Sequence, residues 1–259
     1  MSTIEAIFLG IIQGLTEFLP ISSSGHLTLF QNLLGFENLN QYIIFDLVCH
    51  LGTLCAIFLI FFSQIQKTMT TDRSRLLQVI VATLPLFPLV LILKQIKNVF
   101  DQPQYLGYCF LLSALLLYLG IRLGSTSSQE TLEKRKWKNP FIIGVFQAIA
   151  ILPGVSRSGS TISIARILGY SPQEAVTFSF LLAIPAILGG ITLETAQIVF
   201  KKHSLVAPLG WMQYTAGFFT SFGVGYFSLK LLMKLAVQNQ FIYFVWYCLI
   251  IGIVTMIYF

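Results

Sequence analysis

Ile11-Ile-Gln-Gly-Leu-Thr-Glu-Phe-Leu-Pro-Ile-Ser-Ser-Ser-Gly-His26 is answered later in the chain by Ile151-Leu-Pro-Gly-Val-Ser-Arg-Ser-Gly-Ser-Thr161. The match extends upstream: Gly10-Ile-Ile-Gln13 corresponds to Gly144-Val-Phe-Gln147, Leu19-Pro20 to Leu152-Pro153, and Ser22-Ser-Ser-Gly25 to Ser156-Arg-Ser-Gly159. Each stretch lies between two short apolar helical pieces, Ile4–Leu19 with His26–Leu34 and Phe141–Leu152 with Ser160–Leu168. A spanning helix needs about 20 mostly apolar residues, so none of the four pieces is expected to cross a bilayer. A Pro/Ser/Gly break joins each pair, which predicts a helical hairpin that enters the membrane and returns on the same side. The alternative is that each pair forms one broken span.

Working outward, six segments have the length and apolarity of spans: Tyr42–Phe62, Leu76–Ile96, Tyr105–Leu123, Ala175–Val199, Met212–Leu235 and Phe241–Phe259. Pro85, Pro88 and Pro185 interrupt some of them, which membrane helices tolerate. Phe45 and Phe178 open the first long helix after each hairpin. The expected fold is an all-α polytopic membrane protein, one domain over 1–259, with six transmembrane helices and two re-entrant helical hairpins. Repeat one is 1–123, repeat two is 140–259, and 124–139 is a cytoplasmic linker. A hairpin adds no crossing and three spans is an odd number, so the second repeat must be inverted relative to the first.

Composition agrees. The chain is 56% hydrophobic and 10% charged, with 23 Phe and 10 Tyr, whereas a soluble domain carries about 25% charged residues. The net charge of +6 does not indicate nucleic acid, because the basic residues sit in short loops between apolar segments. Lys67, Arg73, Arg75, Arg122, Lys134, Arg135, Lys136, Lys138, Lys230 and Lys234 fall on one side of the predicted topology. Lys94, Lys97, Lys201 and Lys202 fall on the other. The richer side is the cytoplasmic one, so both termini are expected outside. The first hairpin then dips in from outside and the second from the cytoplasm. Cys49, Cys55, Cys109 and Cys248 lie in apolar stretches and are expected to be buried thiols. The start, MSTIEAIFLG, has no basic n-region or cleavage site, so no removable signal peptide is expected.

Against this background Glu17 and Arg157 stand out, because ionisable side chains inside membrane segments are expensive and mark function by default. They are expected to share a polar cavity; the alternative is a purely structural ion pair. Seven hydroxyls accompany them, from Ser22, Ser23, Ser24, Ser156, Ser158, Ser160 and Thr161. Each cluster precedes a short helix, which it can cap while leaving backbone N–H groups free for an anion. Arg157 adds a planar fork of donors suited to phosphate oxygens. His26 lies about one turn beyond the first cluster, where it can act as nucleophile or proton shuttle. Asp46 and His50, four residues apart on one helix face, either support this site or a metal, or form a structural polar pair. His203 sits in a basic loop and is expected to be solvated. No GxxxxGK[ST], HExxH, GxSxG or CxxC pattern is present, which argues against a nucleotide-driven pump, a zinc protease and a serine esterase.

The run Gln13-Gly-Leu-Thr-Glu17, continuing to His26, together with Pro153-Gly-Val-Ser-Arg-Ser-Gly-Ser-Thr161, resembles the undecaprenyl-diphosphatase family linked to bacitracin resistance. Both family signatures, (E/Q)xxxE and PGxSRSxxT, are complete, and the resemblance extends over the whole chain, including Phe178-Ser-Phe-Leu-Leu-Ala-Ile-Pro185. It implies an enzyme of the bacterial inner membrane that hydrolyses undecaprenyl diphosphate and so regenerates the lipid carrier for wall polymers. It also implies Glu17, Ser23, His26, Ser156, Arg157 and Thr161 as site residues, and a divalent cation supporting hydrolysis; Glu17 is expected either to bind that cation, Mg²⁺ or Ca²⁺, or to orient the nucleophile. Gln13 stands where many members carry Glu, which weakens any scheme with two carboxylates on the metal. Glu17, Ser23, His26 and Arg157 are the expected catalytic residues. Gln13, Ser22, Ser24, Ser156, Ser158 and Thr161 are expected to contact substrate. The attacking group is left open among water, Ser23 and His26, and oligomeric state is left open, a homodimer included. The rival function is a transporter or flippase for an anionic lipid, which would share the inverted repeats and midplane charges.

Overall fold

The computed structural model describes residues 1–36, 39–88, 103–125, 136–200 and 209–259. Among them the regular structure is helical, with no strand. Helix α1 (Thr3–Phe18) opens with a capping box, in which Ser2 Oγ accepts from the Glu5 N–H and the Glu5 carboxylate accepts from the Ser2 N–H. It stops before Pro20, and α2 (Ser23–Leu33) begins three residues beyond that proline. Helices α3 (Ile43–Ile60), α4 (Phe62–Thr70), α5 (Arg73–Thr83) and α6 (Pro103–Arg122) follow. The second half runs α7 (Lys138–Ile149), α8 (Arg157–Ile167), α9 (Pro172–Phe200), α10 (Trp211–Val237) and α11 (Ile242–Tyr258).

The four short helices are where the sequence puts them, each starting up to a turn earlier than the apolar pattern alone indicates. Capping explains the shift for α2 and α8: the Ser clusters are the first turns, so the helix begins before its apolar face does. Among the described residues, four helices are long and apolar enough to cross a membrane: α3, residues 104–122 of α6, residues 172–199 of α9, and α10. Helix α11 is a shorter apolar helix of 17 residues. Of the expected span Leu76–Ile96, the described part is α5, a turn at Leu84–Pro85 and residues 86–88; the rest lies outside the described residues. So do Lys94, Lys97, Lys134, Arg135, Lys201, Lys202 and His203. Pro185 sits inside α9 without ending it. Helix α7 starts at Lys138, so the drawn linker boundary at 140 falls inside its first turn. The separate helix α4 was not foreseen; Phe61 breaks it from α3.

The outer surface is apolar. Phe227 on α10 is 71% exposed and Ile257 on α11 is 81% exposed, among many large exposed side chains. So extensive an apolar surface belongs against lipid rather than water. Cys49, Cys109 and Cys248 are buried free thiols as expected, but Cys55 is exposed. It shares the outward face of α3 with Leu51, Phe58 and Leu59, so its apolar surroundings are lipid-facing, not core.

Corresponding elements of the two halves make corresponding contacts. Helix α1 packs on α10 as α7 packs on α5, and α2 folds back on α1 as α8 does on α7. Close approach depends on matched glycines. A Cβ on Gly10 would collide with Thr220 and lie 2.9 Å from the Gly217 carbonyl oxygen of α10, and one on Gly144 would collide with the Ala82 carbonyl of α5. Both short second helices end alike. Gly35 (φ 79°) and Gly169 (φ 99°) take the left-handed conformation, while Phe36 N donates to Gln31 O and Tyr170 N to Ala165 O. Between the halves lies an aromatic core in which Phe18 of α1 meets Phe180 of α9 edge-on, their centroids 5.5 Å apart.

Candidate active site

The turns that join α1 to α2 and α7 to α8 come together around a cavity of about 50 Å³. Its lining includes Thr16, Glu17, Ser22, Ser23, Ser24, Ala150, Val155, Ser156, Arg157 and Ser158. Residues 140 positions apart in sequence thus face each other, because each turn is held by its own cap. Ser22 Oγ accepts from Gly25 N at 3.3 Å, and Ser156 Oγ accepts from Gly159 N at 3.0 Å. The two turns also touch, with Ser158 Oγ donating to the Leu19 carbonyl at 3.4 Å.

At the centre is the buried carboxylate of Glu17. Its Oε1 pairs with Nη2 of Arg157. Its Oε2 accepts from Ser23 Oγ at 2.6 Å and from Gln13 Nε2 at 3.1 Å, and His50 Nε2 stands 3.6 Å away. Ser23 and Arg157 are the first residues of α2 and α8, the same position in each half. One acid is therefore clamped between two equivalent helix starts. A buried charge persists only when paired and hydrogen-bonded, and Glu17 is both. The guanidinium has donors left over after this pairing, and its side chain keeps 18% exposure at the cavity. Arg157 can therefore meet an incoming anion without leaving the acid.

Seven of the ten residues expected at the site line this cavity: Glu17, Ser22, Ser23, Ser24, Ser156, Arg157 and Ser158. Gln13, His26 and Thr161 do not. Gln13 is buried one turn behind Glu17 and orients it. Thr161 Oγ1 donates to the Arg157 and Ser158 carbonyls, at 2.9 and 3.3 Å, and contacts Ser179 Oγ of α9 at 2.7 Å. It braces the first turn of α8 from behind. His26 is almost fully buried, with Nδ1 2.7 Å from the Ser22 carbonyl and Nε2 2.7 Å from the Tyr247 hydroxyl. His50 approaches Glu17, while its Nδ1 binds the Asp46 carbonyl rather than the Asp46 side chain. That carboxylate instead accepts from Gln31 at 3.0 Å.

A chain with this double-hairpin clamp matches the family model described as bacitracin resistance protein BacA over residues 6–254. It belongs to the BacA family. The match runs the length of both halves, and relatives agree. An undecaprenyl-diphosphatase of Protochlamydia amoebophila is 53% identical over 259 residues, covering 100% of this chain and 99% of that protein. Undecaprenyl-diphosphatases of Carboxydothermus hydrogenoformans and Halothermothrix orenii are each 36% identical, covering 99% of this chain and 97% and 98% of those proteins.

Metal binding by this BacA-family chain is constrained by the donor set. Glu17 is the carboxylate in the cavity lining, and among the described residues no group of three or more His, Cys, Asp or Glu is placed to hold an ion. That excludes a cage built wholly of such side chains there. The donors do fit a hard cation taken by one carboxylate with substrate phosphates supplying the other oxygens, the usual manner of Mg²⁺. Gln13 Oε1 is buried without a hydrogen-bond partner among the described residues, while the amide presents its Nε2 to Glu17. Of the two open readings of Asp46 and His50, the approach of His50 to Glu17 fits support of the site. Tyr247 was not legible from spacing, because it lies 221 residues from His26.

Proposed function

We propose that the chain hydrolyses undecaprenyl diphosphate to undecaprenyl phosphate and inorganic phosphate in the bacterial inner membrane, recycling the lipid carrier for wall synthesis and thereby conferring bacitracin resistance. The observation that carries the reaction is the 2.6 Å hydrogen bond from Ser23 Oγ to Glu17 at the floor of a cavity ringed by phosphate-binding groups. A hydroxyl donating to an oriented carboxylate is the arrangement of an activated nucleophile.

The diphosphate lies between the two turns while the prenyl chain stays in lipid. The spare donors of Arg157, the Ser156 and Ser158 hydroxyls and the N-terminal N–H groups of α2 and α8 hold the terminal phosphoryl group. Ser22 and Ser24 border the same space, and Thr161 keeps the Arg157 turn in place. Ser23 Oγ attacks the terminal phosphorus as its proton passes to Glu17. The bond to the bridging oxygen breaks, and undecaprenyl phosphate leaves. Water then cleaves the seryl phosphate, releasing inorganic phosphate and restoring the hydroxyl. Positioning and charge stabilisation do most of the work in phosphoryl transfer. A divalent cation, Mg²⁺ or Ca²⁺, held by Glu17 with Gln13 beside it would neutralise charge on the diphosphate.

The membrane placement that suits this reading has six spans and two re-entrant hairpins in inverted repeats, 1–123 and 140–259, with 124–139 cytoplasmic and both termini outside. Support comes from the matched helix contacts of the two halves and from the basic-residue bias of the loops.

The test is a single-turnover reaction of purified protein in detergent with undecaprenyl diphosphate labelled in its terminal phosphate. Label trapped on Ser23, lost in Ser23→Ala, is the expected result. Phosphate release without any trapped label, and with Ser23→Ala near normal, would replace serine attack by direct water attack. A wild-type protein releasing no phosphate would leave the lipid-transporter reading instead.

A further inference from the structure

The imidazole of His26 is held on every side, and each contact has a consequence for the cavity it does not line. A carbonyl oxygen only accepts, so the 2.7 Å contact to Ser22 O places the proton on Nδ1. Nε2 of the neutral ring is then bare and accepts from the Tyr247 hydroxyl at 2.7 Å. The tyrosine ring lies nearly parallel to the imidazole (18°, centroids 5.5 Å apart), and Phe110 meets it edge-on at 5.0 Å. Rotation or flipping of the imidazole is blocked by this packing. No carboxylate is among its contacts in the described residues, so nothing there supports an imidazolium.

The carbonyl that His26 grips belongs to a strained residue. Ser22 has φ 74°, one of two non-glycine residues at positive φ among those described. Such a conformation persists only where surrounding bonds over-determine it. The Ser22 carbonyl receives both the backbone N–H of His26 at 3.2 Å and the ring Nδ1–H. The second half supplies an internal comparison. There Ser156 has an ordinary φ of −73°, and Ser160, in the place of His26, donates its Oγ to the Ser156 carbonyl at 2.8 Å. The aromatic anchor therefore occurs on the hairpin where the backbone is strained. Because Ser22 precedes Ser23, its dihedrals aim the Ser23 hydroxyl at Glu17.

We infer that Tyr247 is a positioning residue for hydrolysis: its hydroxyl donates to Nε2 and steadies the imidazole whose Nδ1–H grips the Ser22 carbonyl, and His26 in turn holds Ser22 at positive φ so that Ser23 faces Glu17. This deepens the reading of Ser23 as the attacking group and rests on it. Tyr247 makes its hydrogen bond from α11, the last helix, and its ring reaches the lipid-facing surface. The lock thus joins the outer wall of the protein to the first turn of α2.

Two measurements test it. In ¹⁵N-histidine-labelled protein in detergent, His26 is expected as a single neutral tautomer protonated at Nδ1. Tyr247→Phe, which keeps the ring packing, is expected to move the Nε2 resonance to that of a nitrogen without a hydrogen-bond donor and to lower kcat about tenfold with KM little changed, the effect of one lost hydrogen bond. His26→Asn places an amide N–H where Nδ1–H stood, so it should retain more activity than His26→Gln. In the Asn background, Tyr247→Phe should then have no further effect. A wild-type His26 protonated at Nε2, or an unchanged Nε2 resonance and kcat in Tyr247→Phe, overturns the inference, as does Tyr247→Phe acting fully in the Asn background. The tautomer is read without turnover. A wild-type protein that shows the Nδ1–H form but releases no phosphate would therefore sink the phosphatase reading and leave the lock standing.

Discussion

Glu17 is approached from both halves of the chain: Gln13 and Ser23 donate from the first hairpin and Arg157 from the second, while His50 Nε2 of α3 stands 3.6 Å away. Removing Arg157 takes away the counter-charge of Glu17 and, in the mechanism proposed above, the main cationic donor to phosphate. We predict that Arg157→Ala lowers phosphate release by at least about two orders of magnitude, comparable to losing one oxyanion donor. Near-normal hydrolysis would remove Arg157 from the mechanism. Glu17→Gln keeps the shape but removes the base and the ion pair, so a loss of about 10²–10⁴-fold is expected. If its rate matched the wild type, Glu17 would have no part in proton transfer. Both acid and guanidinium were legible in the sequence because charge inside an apolar run has few bland explanations. His50 was legible as a candidate support through its spacing from Asp46, but Tyr247 was not, since nothing in the sequence marks its distant partner.

At the scale of helices, the site depends on how closely α1 and α7 approach their neighbours. A side chain at Gly144 has nowhere to go, because the Ala82 backbone of α5 is already there. Gly144→Val is expected to lower the melting temperature in detergent, with a loss of about 1–3 kcal/mol typical of overpacking. An unchanged melting curve would mean that α7 can shift freely on α5. A different contact ties α5 to α9 across the halves: Arg75 Nη2 pairs with Glu174 at 2.6 Å while its guanidinium lies 5.1 Å from the Phe178 ring centroid. The Glu174 side chain is 44% exposed, so Glu174→Gln should change stability by under about 1 kcal/mol. Arg75→Ala, which also uncovers Phe178, should change it more. Equal effects would show that the ring contact contributes nothing. The existence and type of these helices followed from apolar length and from Pro and Gly punctuation. Helix α4 did not, because its polar face merges with the end of the preceding apolar run, and only the backbone break at Phe61 separates them.

For the whole molecule, the matched contacts of α1 with α10 and of α7 with α5 are the large-scale counterpart of the repeated motif. The repeat was legible because the same residue types recur in the same order. Helix packing across the halves was not, because glycine spacing alone does not say which helix it faces. The placement proposed above makes a topology prediction. Single cysteines introduced near Ser2 and near Phe259, in a background without the exposed Cys55, should react with an impermeant reagent added outside intact cells. One near Lys138 should react only after the membrane is opened. Labelling in the reverse pattern would turn the proposed orientation over.

Ser23 and Arg157 occupy the same rung of two matching helices, yet one brings a hydroxyl and the other a guanidinium to a single acid. Two identical half-length subunits could never do this, since any residue chosen for one rung would appear on both. Covalent fusion is what permits the division of labour: once both copies reside in one gene, each is free to specialise, and the shared acid can be served by unlike partners.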